Sequence, residues 1–325
     1  MKKRTLIVLM ALLLIGVPLS WSHAKVYKIG VTQIITHPAI DDCRNGFYDQ
    51  MAKEGFIKGK NVEYDFRNAE GDMTMVASIA KKFVSEKKDM IFSISTPSTQ
   101  GCVAAAKGTS IPIVFGAMTD PVSAKVVDSW DKPGGNCTGA SDWIEINPQL
   151  ELFKEISPGF KKLGTVYNAG ETNSVVQVEE LKKAAPAFGI AEIVEATAAS
   201  TADVYAAATS LVGRVDAVWI PTDSTVVSSL GSVVKVCEEN KIPLFAAEGG
   251  TVKKGAICAV GFSYYNLGET AAKIAARVLK GEKPANIPVA KAPLTNLYVN
   301  PNAAERMGVT IPQSVMDRAT QIIKD

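Results

Sequence analysis

The sequence predicts an α/β protein built as two doubly wound, parallel-sheet lobes with a ligand cleft between them. Three observations lead there. Short β-rich runs alternate with longer helical patterns along most of the chain. That alternation runs once to about residue 120 and then restarts, with KKDMIFSISTPST echoed by GRVDAVWIPTDST and IPIVFGA by IPLFAAE. The tail then supplies further elements for both halves, so the chain must cross between lobes more than once.

The first half opens with VYKIGVTQI (26–34), rich in β-branched residues and read as a strand. PAIDDCRNGFYDQMAKEGF (38–56) reads as a helix, with Pro38 in its first turn and Ile40, Phe47, Met51 and Phe56 recurring along it. NVEYDFRNA is the next strand, followed by a helix from about Met73 to Glu86. DMIFSIS is a strand, a helix runs from about Gln100, and IPIVFGA is a strand. Strand, helix, strand in succession favours parallel pairing with right-handed crossovers.

In the second half KKLGTVYNA (161–169), AEIVEATA, VDAVWIPTD and IPLFAA read as strands. Helices are expected over Asn173 to Phe188, Ala202 to Val212 and Val226 to Asn240. GGNCTG (134–139) reads as a linker ahead of this half. The tail holds a strand and long helix in GAICAVGFSYYNLGETAAKIAARVLKGEKPA, then LTNLYVN as a strand, a short helix, and a closing IPQSVMDRATQII helix. Crossings are expected near 140–145, 261–264 and 292–295. They divide the chain into lobe one (25–142 with 262–293) and lobe two (143–261 with 294–325).

Residues 1–24 read as a cleaved secretory signal. Lys2, Lys3 and Arg4 precede an apolar run from Leu6 to Ile15, and Ser22-His23-Ala24 is a small-x-small cleavage pattern. The apolar run breaks at Gly16 and Pro18, too short for a span. No Cys stands near the cleavage pattern, so lipid attachment is not expected. Removing this segment takes the 35 basic residues to 32 against 33 acidic, a net charge of −1. A near-neutral chain lacks the electrostatic footprint of a nucleic-acid binder.

In open α/β sheets ligands bind beyond the carboxyl ends of the strands. Those ends are Gln33 to His37, Ser95 to Ser98 and Met118 to Pro121 in the first half. In the second they are Asn168 to Ser174, Thr222 to Thr225 and Ala247 to Gly250. SISTPSTQG (93–101) is rich in hydroxyls and has no Lys or Arg. A helix beginning beside Pro97 would point free N–H groups and its positive dipole end at the turn, enough to hold a carboxylate or phosphate. Thr96 and Ser98 could add donors, or simply cap the helix. The second-half turns offer Glu171, Asn173, Asp223 and Glu248, which suit an ammonium but are also ordinary N-caps. Together the two walls suit a small zwitterion.

Catalysis finds little support. Beyond the signal the only His is His37, and no G-x-S-x-G elbow accompanies it. Neither G-x-x-x-x-G-K-[ST] nor G-x-G-x-x-G occurs. A hydrolase would have to pair Cys43 or Cys102 with His37. Cys43, Cys102, Cys137, Cys237 and Cys258 are widely spaced with no C-x-x-C, so zinc is not expected; they read as small buried residues, with one bridge allowed. No cofactor is expected. Trp143, Tyr264 and Tyr265 lie at or near the expected crossings, either as packing or as faces for a ligand.

The motifs HPAIDDCRNGF, GKNVEYDFRNAEGD, STPSTQ, IPIVFGAMTDPVSAKVV, GGNCTG, NAGETNS, VDAVWIPTDSTVVS, IPLFAAE, KKGAICAVGFSYYNLG and LKGEKPANIPV stand in one order along the chain. In that order they resemble the ABC transporter substrate-binding protein family whose better-known members bind tryptophan and related aromatic amino acids. The resemblance implies a type I periplasmic-binding-protein fold with three crossovers. It also implies capture of an amino-acid-like molecule by hinge closure, delivery to a membrane permease driven by a separate ATPase, a periplasmic location and a monomer. The ligand-facing residues it implies are Thr96, Ser98, Thr119, Asp120, Asn173, Ser174, Asp223, Glu248 and Tyr264. Lobe one would then hold the carboxylate through Thr96 and Ser98, and lobe two the ammonium through Asp223 or Glu248. Five cysteines exceed the number expected of the family. A sensory protein docking on a membrane receptor would use the same design.

Overall fold

The computed structural model describes residues 25–324, so the signal segment lies outside the described residues. The first core is built on β1 (Tyr27–Gln33), α1 (Pro38–Lys53), β2 (Val62–Asn68), α2 (Met73–Ser85), β3 (Met90–Ile94), α3 (Thr96–Ala105), β4 (Ile113–Gly116) and β5 (Cys137–Ser141). The second starts with α4 (Ile146–Ile156), β6 (Lys162–Tyr167), α5 (Thr172–Ala184), β7 (Glu192–Thr197), α6 (Val204–Thr209) and β8 (Ala217–Ile220). It continues with α7 (Ser224–Ser228), α8 (Leu230–Glu239), β9 (Leu244–Ala246), α9 (Gly249–Val252) and β10 (Cys258–Gly261). The tail adds α10 (Tyr264–Leu279), β11 (Ala290–Lys291), β12 (Asn296–Val299), α11 (Pro301–Arg306), α12 (Gln313–Arg318) and β13 (Gln321–Ile322).

Six parallel strands in the order β11-β5-β4-β3-β1-β2 form the first sheet, and four parallel strands in the order β7-β6-β8-β9 form the second. In each sheet the first strand lies one in from an edge and the order reverses beside it, the doubly wound arrangement that opens a crevice at the strand ends. A third, three-stranded sheet (β10-β12-β13) packs on the second core. Buried apolar residues separate into two clusters. One spans Ile29 to Ile144 and Phe262 to Val289; the other spans Ile146 to Ala259 and Tyr298 to Val315. The chain thus passes between cores around residue 145, around 261 and between 289 and 298.

Helix α10 returns to the first core because two glycines let backbones meet. A Cβ on Gly268 would lie 1.9 Å from the Cys43 carbonyl oxygen, and one on Gly46 would lie 2.0 Å from that of Tyr265. Only glycine allows α1 and α10 this approach.

Four expectations need correction. GGNCTG is not a linker throughout: Cys137 to Gly139 begin β5, a buried strand between β4 and β11. Gly139 hides that strand from a propensity reading, yet a Cβ there would lie 2.2 Å from the Phe115 carbonyl oxygen. Helix α3 starts at Thr96 rather than near Gln100, because Pro97 fits a first turn. The helix expected over Val226 to Asn240 is two helices, interrupted at Ser229. The closing helix stops at Arg318; Thr320 then pairs with Leu297 and carries the chain into β13. All five cysteines are buried free thiols.

Candidate functional site

The turns beyond the strand ends of the two large sheets face each other across a cavity. From the first core come His37, Ala39, Ile40, Ser95 and Thr96, with Ala117 and Thr119 after β4. From the second come Asn173, Thr222, Asp223, Ser224, Val227 and Glu248. Asp142 and Tyr264 stand beside the crossings and complete the wall. The space open to water centres is about 50 Å³, against the ~10–15 Å³ that one water needs. A wider space of about 410 Å³ adjoins it through Ser224, with Ile35, Met73 and Pro97 on one side and Glu171 and Thr201 on the other.

The polar atoms of this cavity are unusual in their hydrogen bonding. Eight buried side-chain nitrogens or oxygens lack a partner among the described residues, and four of them belong to residues lining the cavity: His37 Nε2, Thr96 Oγ1, Asp142 Oδ1 and Asn173 Oδ1. Buried polar groups are rarely left unpaired, since each costs on the order of 1–3 kcal/mol. Their convergence on one space marks a place prepared for a polar guest.

Each of these atoms is positioned by its local structure. His37 is the N-cap of α1: its Nδ1 accepts from the Ala39 N–H at 3.3 Å. Burial holds the imidazole pKa down, so the ring is neutral and carries its proton on Nε2, as a donor. Thr96 opens α3, whose N-cap, Ser95, makes no side-chain cap. Ser95 sits at φ 85°, ψ 158°, a region otherwise almost confined to glycine, and the cavity-lining Ala117 also has a positive φ of 50°. Asn173 uses its amide nitrogen on the Thr222 carbonyl at 2.6 Å, leaving its oxygen free.

Among the described residues, three buried carboxylates line the cavity and no lysine or arginine does. Two of them are engaged with backbone. Asp223 caps α7 through Val226 N–H at 2.7 Å and also accepts from Asn168 N–H at 2.7 Å and Ser174 Oγ at 2.6 Å. Burial and the neighbouring Glu171 push its pKa up to about 7, against the pull of those donors. Glu248 caps α9 by accepting from Gly250 N–H at 2.5 Å, Thr251 N–H at 2.6 Å and the Thr251 hydroxyl. Asp142 differs. It caps no helix; the Tyr264 hydroxyl donates to Oδ2 at 3.0 Å, and the Thr119 hydroxyl stands close by. Burial pushes the Asp142 pKa up to about 6, with the Thr119 and Tyr264 hydroxyls pulling it back and Glu248 raising it further.

Of the nine residues expected at the site, Thr96, Thr119, Asn173, Asp223, Glu248 and Tyr264 line the cavity. Ser98, Asp120 and Ser174 do not. Ser98 is buried and accepts from Ser95 Oγ at 3.4 Å; Asp120 organises its own turn through Val122 N–H and the Ser123 hydroxyl; Ser174 supports Asp223. Trp143 turns to Glu145 and Tyr265 to Asp49. Asp142 was missed because it follows β5, the strand disguised by its glycine. Neither Cys43 nor Cys102 lines the cavity; burial pushes the Cys102 thiol up to about 12 and that of Cys43 higher still.

The cores also touch directly across the cleft. The Thr119 and Thr222 hydroxyls lie 3.2 Å apart, and Gln100 Nε2 donates to Thr172 Oγ1 at 3.3 Å.

Comparison with known proteins agrees with this architecture. Residues 28–323 match the profile of the ABC transporter substrate binding protein family. A protein from Clostridioides difficile named "Tyrosine-binding protein" is 43% identical over 276 residues, covering 85% of this chain and 79% of the relative. A conserved domain protein from Vibrio cholerae superposes with a TM-score of 0.89 at 41% identity, over 92% of this chain and 100% of the other. An ABC domain from Streptococcus pneumonia in complex with L-Trp gives 0.88 at 36% identity, again over 92% and 100%. A substrate binding protein with adhesive properties from Clostridium difficile, in a ligand-free, open structure, gives 0.70 at 41% identity over 92% and 99%. More distant solute binding proteins at 15–17% identity share the fold. The chain is a type I periplasmic-binding-protein fold and belongs to the ABC transporter substrate-binding protein family.

Proposed function

We propose that this protein captures an aromatic amino acid between its two lobes and presents it to the permease of an ABC importer. One observation carries the reading. A cavity lined by both cores gathers four unpartnered buried polar atoms and three carboxylates, with no lysine or arginine among the described residues that line it. A zwitterion answers that chemistry. Its carboxylate fits the uncapped start of α3, where Thr96 Oγ1 and the helix dipole supply donors. Its ammonium fits the acidic side. Ala39, Ile40, Ala117 and Val227 give the cavity its apolar surface. The naming of a 43% identical relative for tyrosine, and the tryptophan complex of another, support an aromatic side chain.

In this reading the lobes meet the chain crossings as hinges, with residues 25–142 and 262–293 moving against 143–261 and 294–325. Ligand touching both lobes favours the closed state. Supporting closure, the overlap with the ligand-free, open relative is lower than with the tryptophan complex, although the open relative is the more identical. The protein acts as a binding protein rather than an enzyme, working outside the cytoplasmic membrane after loss of residues 1–24.

The test is a thermal-shift panel of amino acids, nucleobases and small carboxylates on protein unfolded and refolded to strip carried ligand. Ligand at a thousandfold over Kd adds about 4 kcal/mol, a shift on the order of 10 °C. A large shift with tyrosine, tryptophan or phenylalanine and none with nucleobases is expected. A large shift with a non-amino-acid alone would overturn the ligand class.

A further inference from the structure

The carboxylates of the cavity are not equivalent, and the difference assigns them. Asp223 and Glu248 each accept two backbone N–H groups and a hydroxyl, so both oxygens of each are already occupied by α7, α9 and their neighbours. Asp142 is 3% exposed and caps no helix; it takes the Tyr264 hydroxyl on Oδ2 with the Thr119 hydroxyl close by, and its Oδ1 makes no hydrogen bond among the described residues. Burying a carboxylate this poorly compensated is costly unless it takes up a proton or a cation. No lysine or arginine lines the cavity to serve it.

We propose that Asp142 is the seat of the ligand's cationic nitrogen, so that the cavity accepts protonated amines and rejects their deaminated counterparts. This rests on the amino-acid reading above and names the atom that selects for it. The placement adds a consequence. Asp142 follows β5 at the first crossing, and Tyr264 begins α10 just past the second, so their hydrogen bond joins two of the connections between the cores. The nitrogen therefore docks at the pivot of the cleft, not on one of its jaws, and can seat before the lobes close.

The experiment is calorimetry on refolded wild type and on Asp142→Asn, which keeps an acceptor for Tyr264 and removes the charge. The probes are L-tyrosine, tyramine and 3-(4-hydroxyphenyl)propionate. Wild type is expected to prefer L-tyrosine over the propionate by at least about a hundredfold. In Asp142→Asn, affinity for L-tyrosine and for tyramine should fall about a hundredfold, while that for the propionate stays within about threefold. The wild-type comparison needs no variant and can overturn the assignment even where Asp142→Asn folds poorly. Propionate binding as tightly as L-tyrosine, or L-tyrosine affinity retained within threefold in Asp142→Asn, would overturn the assignment. Failure of wild type to bind any amino acid is the separate failure of the amino-acid reading and takes this assignment with it.

Discussion

Tyr264 donates its hydroxyl to Asp142 Oδ2 at 3.0 Å, although the two residues are 122 positions apart. Both are buried against the cavity, and they stand at different passages of the chain between its cores. Tyr264→Phe removes the hydrogen bond to Asp142 Oδ2. It should lower apo stability by about 1–2 kcal/mol, read by urea denaturation, and weaken L-tyrosine binding in the same protein. Unchanged affinity would separate the hydrogen bond from ligand capture.

Asp142 also sets a pH dependence of stability. Its folded pKa of about 6 stands above the ordinary carboxylate value, so the fold disfavours its charged form. The penalty is absent below about pH 4, grows as pH rises towards 6, and is constant above, at about 3 kcal/mol. Asp142→Asn should therefore be more stable than wild type at pH 7.5 without ligand, the gap closing below pH 4. Thermal melts across that range check it; a variant less stable at pH 7.5 would contradict the sign.

His37 does two things with two nitrogens. Nδ1 caps α1 and Nε2 faces the cavity. Asn at this position can keep the cap but not reach as far. His37→Asn should retain the wild-type melting temperature and lose affinity for L-tyrosine by about tenfold, the scale of one hydrogen bond at about 1.4 kcal/mol. Calorimetry beside a melting curve resolves the two.

Ser95 bears backbone strain where α3 begins. Ser95→Gly should release part of it and stabilise the apo protein by about 1 kcal/mol, measured by denaturant midpoint. By contrast Gly268→Ala should destabilise by about 1–3 kcal/mol or more, because the new Cβ meets the Cys43 carbonyl oxygen at 1.9 Å. A neutral Gly268→Ala would mean that α1 and α10 can part without cost.

Much of this molecule was legible because period and punctuation agreed. β1, β3, β6 and β8 are apolar runs ending at polar turns, and the turns after them are where the cavity formed. Thr96, Asn173, Asp223 and Glu248 could be placed from that rule alone. What sequence could not show was hydrogen-bond occupancy. Asp223 and Glu248 read as ligand anchors in the sequence, which does not show that both also cap helices. Asp142 looks like a linker residue until Gly139 is seen to pack its strand against Phe115. Direction was equally hidden: Thr96 and Ser98 are neighbours in one hydroxyl-rich turn, yet only Thr96 reaches the cavity.

The most direct test of ligand capture between the lobes is small-angle X-ray scattering on refolded protein, with and without saturating L-tyrosine. The account predicts a smaller radius of gyration on addition, and a bound profile that fits the arrangement of the two lobes described above. L-tyrosine binding with an unchanged, open profile would contradict it, since the ligand would then be held by one lobe alone.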